Sequence, residues 1–246
     1  MTNTTANTVI QSLPEEMLSE ILRHAASNSL YDFVNLKLSC KAFFGASNYN
    51  YIFENISMEQ YLTLGGCKSQ RVFFNLCKDA GNPEALYWEG MRHCFSLWQT
   101  DSGLRYLKKA VEKGHVEAIY SYGIILICLG GELRKQGLQV LSSLNLTASI
   151  KRSFKIASCR SKTQKLLSLM WVFFSLPGPR EYSFNEAKVV GLNCEHDIPP
   201  REHDPWLIRT NIEIVENLPC CDSCFWDREA TLFCTMLEEI KYPEGA

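Results

Sequence analysis

Apolar residues recur at a helical period along most of this chain. Leu18, Ile21, Leu22 and Ala25 fall at i, i+3, i+4 and i+7, the spacing of one helical face. Ahead of them, Ser12-x-x-Glu15 reads as a capping box, and Pro14 falls in the first turn, where its missing N–H is not needed. Asn28-Ser29 breaks the pattern, and Ser29-x-x-Asp32 offers a second cap. Leu30, Phe33, Val34 and Lys37 then share one face of a second helix, with Leu36 and Cys40 on the adjoining one. Phe43 and Phe44 fall on a third, short helix.

Further along, the pattern repeats. Gly81, Glu84, Ala85, Tyr87 and Gly90 recur 33 residues later as Gly114, Glu117, Ala118, Tyr120 and Gly123. Gly103-Leu104-x-x-Leu107 recurs as Gly137-Leu138-x-x-Leu141 at an offset of 34. A period of this length marks a stack of helix pairs. Gly81 and Gly114 are placed to end helices in the left-handed conformation. Glu84 and Glu117 open the next helices, where the dipole favours acid. Gly90 and Gly123 lie inside helices, at about 1 kcal/mol each relative to Ala, and close helix packing is the usual compensation. Arg71 to Ala80 reads as the second helix of an earlier, partial repeat. Two full repeats are visible where such arrays need about three, so the stack is expected to lean on the segments before and after it.

Helical patterning continues from Leu138 to about Leu176, with Leu166, Leu169, Met170 and Phe173 along one side and Pro177-Gly178-Pro179 as its stop. A long loop is expected over about 177–222. The final helix carries Trp226, Ala230, Phe233, Leu237 and Ile240 at steps of 4, 3, 4 and 3, with Asp227 and Glu229 near its start.

The first of these segments resembles an F-box. Leu13-Pro14, Leu18, Ile21-Leu22, Leu30, Val34, Leu36, Cys40-Lys41 and Phe43 follow that family's pattern, with Phe43 where tryptophan is commoner and a longer gap at Ala25 to Ser29. Leu104 to His115 resembles the second helix and turn of Sel-like repeats, cousins of the tetratricopeptide class. Cys224-Phe225-Trp226-Asp227-Arg228-Glu229-Ala230 is similar to the tail of plant F-box proteins that carry such repeats. The resemblance implies an all-α protein: a disordered stretch at 1–9, a three-helix F-box at 10–55, Sel-like repeats at 56–145, and a helical C-terminal region at 146–246. It implies a substrate receptor of an SCF-type cullin ubiquitin ligase. Leu13, Pro14, Leu18, Ile21, Leu22, Leu30, Val34 and Leu36 would meet the small Skp-family adaptor, with Leu18 and Leu22 as anchors, and cullin would follow through the adaptor. The repeats and C-terminal region would hold a protein target. A non-ligase interaction scaffold is the alternative.

Composition sharpens this. The chain has 246 residues, 46% hydrophobic and 21% charged, with a net charge of −2 at pH 7. That is the make-up of a packed protein, without the basic footprint that nucleic acid demands. Leu166 to Leu176, the longest apolar run at eleven residues, is too short to span a bilayer. Residues 1–7 are polar and uncharged, unlike a secretory signal. Eleven cysteines in no regular framework read as free thiols in a reducing compartment. The expectation is therefore cytoplasm or nucleus, with no nucleic-acid partner and no membrane.

Catalytic signatures are missing. There is no Gly-x-Ser-x-Gly, phosphate loop or His-Glu-x-x-His. His93 and Cys94 are neighbours on a helix and point apart; a Cys194 nucleophile near His196 would also need an oriented partner elsewhere. No enzyme and no cofactor is expected. Cys221 and Cys224 form a Cys-x-x-Cys that Cys194 with His196 or His203 could complete as a structural zinc site. A single pair is a weak signal, so no metal is assigned.

Overall fold

The computed structural model describes Ile10 and residues 12–61, 68–144, 149–173, 176 and 222–241. The expected disorder at 1–9, and the expected loop over 177–222 up to residue 221, lie outside the described residues. Among the described residues all regular structure is helical, with no strand. The helices are α1 (Glu15–Asn28), α2 (Leu30–Ser39), α3 (Lys41–Ala46), α4 (Asn50–Asn55), α5 (Lys68–Asp79), α6 (Pro83–Phe95), α7 (Thr100–Glu112), α8 (Val116–Leu129), α9 (Gly131–Ser142), α10 (Ser149–Ser168) and α11 (Asp222–Lys241). A 3-10 turn covers Glu59–Tyr61. The all-α expectation holds. The chain divides into two compact units, one of Met1–Arg92 with Asp101–His115, the other of His93–Thr100 with Val116–Ala246.

In the first unit, Leu18 and Leu22 of α1, Phe33 of α2, Phe43 of α3 and Ile52 of α4 form one apolar cluster. Phe73, Phe74 and Cys77 of α5 and Ala85 of α6 belong to the same cluster. The Phe33 ring lies 6.2 Å from that of Phe53 and 5.6 Å from that of Phe73. The N-terminal helices and the first repeat helices therefore share a core. The first compact unit accordingly takes in both the N-terminal helices and the first repeat helices.

Asn82 holds this junction. It is 1% exposed. Its Oδ1 accepts from the N–H groups of Glu84 (3.0 Å) and Ala85 (3.1 Å), capping α6. Its Nδ2 donates to the carbonyls of Phe53 (3.0 Å) and Ile56 (2.8 Å). Glu84, expected as a dipole-compensating acid, also accepts from Met58 N–H at 2.6 Å.

The two repeat turns are built alike. Gly81 has φ +87° and Gly114 φ +77°. Gly81 N–H donates to Lys78 O and Asn82 N–H to Cys77 O; Gly114 N–H donates to Val111 O and His115 N–H to Ala110 O. Both are Schellman caps, which need a left-handed residue that glycine adopts without strain.

The second unit is organised around α8, whose Ala118, Tyr120, Ile124, Ile125, Ile127 and Cys128 are at most 1% exposed. A helix apolar on all sides must be wrapped, and α9, α10 and α11 all pack on it. The apolar stripe of α11 is as expected: Trp226, Ala230, Phe233 and Leu237 are buried. Two boundaries differ. Helix α10 stops at Ser168, not near Leu176, because the chain turns at Leu169-Met170 and Phe173 N–H bonds Phe95 O at 2.9 Å. Helix α11 starts at Asp222, so Asp227 and Glu229 sit inside it, and each pairs with an arginine.

Candidate functional site

The N-terminal helices carry the side chains singled out above, and the structure sorts them into two sets. Helix α1 begins at Glu15 with Pro14 at its N-cap, ψ 150°, and no side-chain cap bond. The helix therefore starts directly after Pro14, two residues later than an N-cap at Ser12 would place it, and the extended backbone at Pro14 directs the chain into the helix. The second cap forms as expected: Ser29 Oγ accepts from Asp32 N–H at 3.2 Å.

Leu18 is 6% exposed and Leu22 0%. Both point into the unit's own core, so in this structure neither side chain offers surface to a partner. Leu13, Leu30 and Leu36 are half-buried and pack against the same cluster. Pro14, Ile21 and Val34 are exposed. Phe33 and Val34, read from sequence as one face, separate: Phe33 turns inward and Val34 outward.

The outward set is larger than the sequence suggested. Met17 joins Ile21 on α1, at i and i+4. Tyr31 at 75% exposure and Leu38 at 68% flank Val34 on α2, at i, i+3 and i+7. Phe44 is exposed on α3. These two helical stripes could have been read from the spacing, but the stronger inward pattern masked them. Isolated apolar side chains on a surface need no explanation, whereas these are spaced in order along two neighbouring helices.

The polar surroundings are ordered. Glu20 accepts from Arg23 Nε at 3.0 Å and from Tyr51 Oη at 3.1 Å. The Arg23 guanidinium holds the Glu20 carboxyl down to a pKa of about 2, against the opposing effect of desolvation. Lys37 Nζ lies 5.4 Å from the centre of the Phe44 ring and 3.3 Å from Asn48 Oδ1. Beside this face, Phe33, Phe53, Phe73 and Leu76 line an open groove of about 410 Å³, with Lys37 and Asp79 on its rim.

Burial pushes the Cys94 thiol up to about 12, so it holds its proton at neutral pH and is no nucleophile. Cys77 is held at about 12 for the same reason. Among the described residues no group of histidine, cysteine and acid side chains could hold a metal ion. Cys194, His196, His203 and Cys221 lie outside the described residues, as does the Cys224 side chain. No described helix is long and apolar enough to cross a membrane.

Comparison with known proteins gives this geometry a family. Residues 59–168 match the family of plant tetratricopeptide repeats. A putative F-box protein of Arabidopsis thaliana is 35% identical over 168 residues, covering 68% of this chain and 57% of that relative. Two further F-box proteins of Arabidopsis thaliana are 28% identical over 122 residues and 29% identical over 127. These matches cover 49% and 50% of this chain, and 75% and 34% of the respective relatives. The chain thus spans little more than half of the first relative's length. No solved structure matches it. The chain is similar to plant F-box proteins and carries a plant tetratricopeptide-type repeat segment, as its sequence led us to expect.

Proposed function

We propose that this chain is the substrate-receiving F-box subunit of an SCF-type cullin ubiquitin ligase. The observation that carries the reading is the pair of outward apolar stripes, Met17–Ile21 on α1 and Tyr31–Val34–Leu38 on α2. They belong to the segment whose motif resembles an F-box, in a chain whose relatives are named F-box proteins. Such a face supplies the apolar area a small adaptor of the Skp family would cover, and cullin would join through that adaptor. The repeats and the C-terminal helix would receive a target protein. The chain itself would do no chemistry; ubiquitin transfer would take place on other subunits. Its place of work would be the cytoplasm or nucleus, with neither nucleic acid nor membrane as partner.

The test is co-expression with a Skp-family adaptor, followed by size-exclusion chromatography. Val34→Asp/Leu38→Asp changes only exposed positions and is expected to abolish a one-to-one complex while helix content and Tm stay unchanged. Leu18→Ala is the contrasting variant. It removes core volume, lowers Tm, and weakens the complex only as far as the fold loosens. A complex that survives Val34→Asp/Leu38→Asp overturns the assignment of this face, and no complex with the unaltered chain overturns the receptor reading.

A further inference from the structure

The second unit holds two thiols in contact. Cys128 on α8 and Cys234 on α11 lie 106 residues apart in sequence, and their Sγ atoms are 3.6 Å apart. That is van der Waals contact between sulfurs, so closing the gap to a disulfide needs only a small adjustment of two side chains. Both residues are free cysteines. They differ in access: Cys128 is fully buried, with its Sγ 4.0 Å from the Ala230 carbonyl, while Cys234 is only partly buried.

The geometry points to Cys128 and Cys234 as an oxidation site that, on meeting a peroxide, forms a disulfide stapling the C-terminal helix α11 to α8. The chemistry divides between the two sulfurs by their access. The solvent-reached Cys234 thiolate attacks one oxygen of hydrogen peroxide; the O–O bond breaks, hydroxide leaves and takes a proton as water, and Cys234 becomes a sulfenic acid. Cys128 then attacks that sulfur. The S–S bond forms, the S–O bond breaks, and the departing hydroxide takes the Cys128 proton as a second water. Two thiols are oxidised by two electrons and one peroxide is reduced to two waters. Acidity supports the order, because the hydrogen bond from Cys128 lowers the Cys234 thiol below its ordinary pKa, while the thiol of Cys128 is raised.

The surroundings favour pairing over further oxidation. Burial at the neighbouring Phe233, Ala230 and Leu237 keeps α11 in place, so the resolving thiol is already at hand when the sulfenic acid forms. No sulfur contact joins Cys40, Cys77, Cys94 or Cys159 to another cysteine within hydrogen-bond distance among the described residues. A crosslink over so long a loop restricts the unfolded chain strongly and adds a covalent hold to a helix otherwise kept by packing and ion pairs.

The test uses the full chain, fully reduced, treated with hydrogen peroxide at about one equivalent, then alkylated, digested without reductant and mapped by mass spectrometry. The expected result is a Cys128–Cys234 linked peptide that dithiothreitol removes, together with a rise in Tm on oxidation. Cys234→Ser, a near-isosteric change at a partly buried position, should fold as the unaltered chain does and lose both the linked peptide and the Tm rise. Cys40→Ser should keep both. Recovery of Cys128 and Cys234 as alkylated thiols, of Cys234 as sulfinic acid, or of Cys234 joined to a different cysteine overturns the proposal.

Discussion

A Cβ placed on Gly123 would sit 2.4 Å from Cγ of Leu141, and Gly90 stands in the same relation to Leu107, at 2.7 Å. The two pairs occupy equivalent repeat positions, so each repeat closes by pressing a leucine against a bare helix backbone. In the second unit the contact is reciprocal, since a Cβ on Gly137 would meet Gly123 O at 2.6 Å. Adding a methyl here forces a shift that helix propensity does not offset, because overpacking costs about 1–3 kcal/mol against a propensity gain of about 1. Gly137→Ala, whose closest clash is with the Gly123 carbonyl, is expected to destabilise more than Gly90→Ala, whose closest clashes are with the Leu107 side chain and whose nearest backbone atom, Leu107 N, is at 3.0 Å. Chemical denaturation of the two variants reads the order.

Asn82 joins three segments through four hydrogen bonds, and its two ends have distinct jobs. Asn82→Ala removes the helix cap and leaves the carbonyls of Phe53 and Ile56 without their donor, an expected loss of about 2–4 kcal/mol. Asn82→Asp keeps the capping oxygen but sets a second carboxylate oxygen against those two carbonyls in a buried site. It is expected to be at least as damaging as alanine at pH 7 and to recover partly as the pH falls and the carboxyl protonates. Thermal unfolding between pH 4 and 7 measures this. An Asn82→Asp variant as stable as the unaltered chain at neutral pH would contradict the inward role of Nδ2.

How far the sequence revealed these features follows from what each depends on. Helices such as α1 and α11 rest on local periodicity, and their apolar stripes are plain in Leu18, Leu22, Trp226 and Phe233. The repeat turns were legible too, because a Schellman cap needs glycine at one position and shows it twice. The direction of burial was not legible. Leu18 and Ile21 look alike in a string of letters, and only the packing of α3 and α4 on α1 decides that one is core and the other surface. Helix ends were missed where a tertiary bond sets them, as at Ser168, where the following chain is drawn to Phe95 O. Glu229 and Asn82 escaped for the same reason. Each reads as a helix-start or loop residue, and its meaning lies in partners 69 and 26 to 29 residues away.

Glu20 gives the N-terminal helices a defined response to acid. Its carboxyl titrates near 2 in the folded chain against an ordinary value of 4.5, chiefly through the Arg23 hydrogen bonds. A depressed folded pKa contributes stability that is full above the unfolded value and fades as the pH falls from about 4.5 towards 2. The group is solvent-exposed, so this contribution is screened by salt. The expected outcome is a Glu20 carboxyl titration midpoint, read by NMR, well below that of an ordinary glutamate. Arg23→Gln should return it towards the usual range; Tyr51→Phe should move it up by less. A midpoint unmoved by Arg23→Gln would remove the guanidinium as the cause.

The deepest polar arrangement in the second unit joins three helices through one carboxylate. Glu229 of α11, 3% exposed, accepts from Tyr120 Oη of α8 at 2.7 Å and from Arg160 Nε and Nη2 of α10 at 2.9 and 2.5 Å. Burial, with the carboxylate adding to it, pushes Tyr120 well above its ordinary value, and the carboxylate raises the Arg160 pKa against the opposing effect of burial, so both partners keep their protons at neutral pH. Breaking such an arrangement costs more than it was worth, because the remaining groups stay buried without partners. Glu229→Ala strands the Tyr120 hydroxyl and the guanidinium together, an expected loss of about 3 kcal/mol, moderated because Arg160 retains some contact with water. Tyr120→Phe removes one donor and leaves the ion pair, an expected loss of about 1–2 kcal/mol. The decisive variant is the double substitution Arg160→Leu/Glu229→Leu. With the charges gone and apolar volume in their place, its loss in denaturant unfolding should fall well short of the sum of Arg160→Leu and Glu229→Leu measured singly. Simple additivity would mean that the two side chains act separately and that packing at Phe233 and Leu237 alone holds α11 in place.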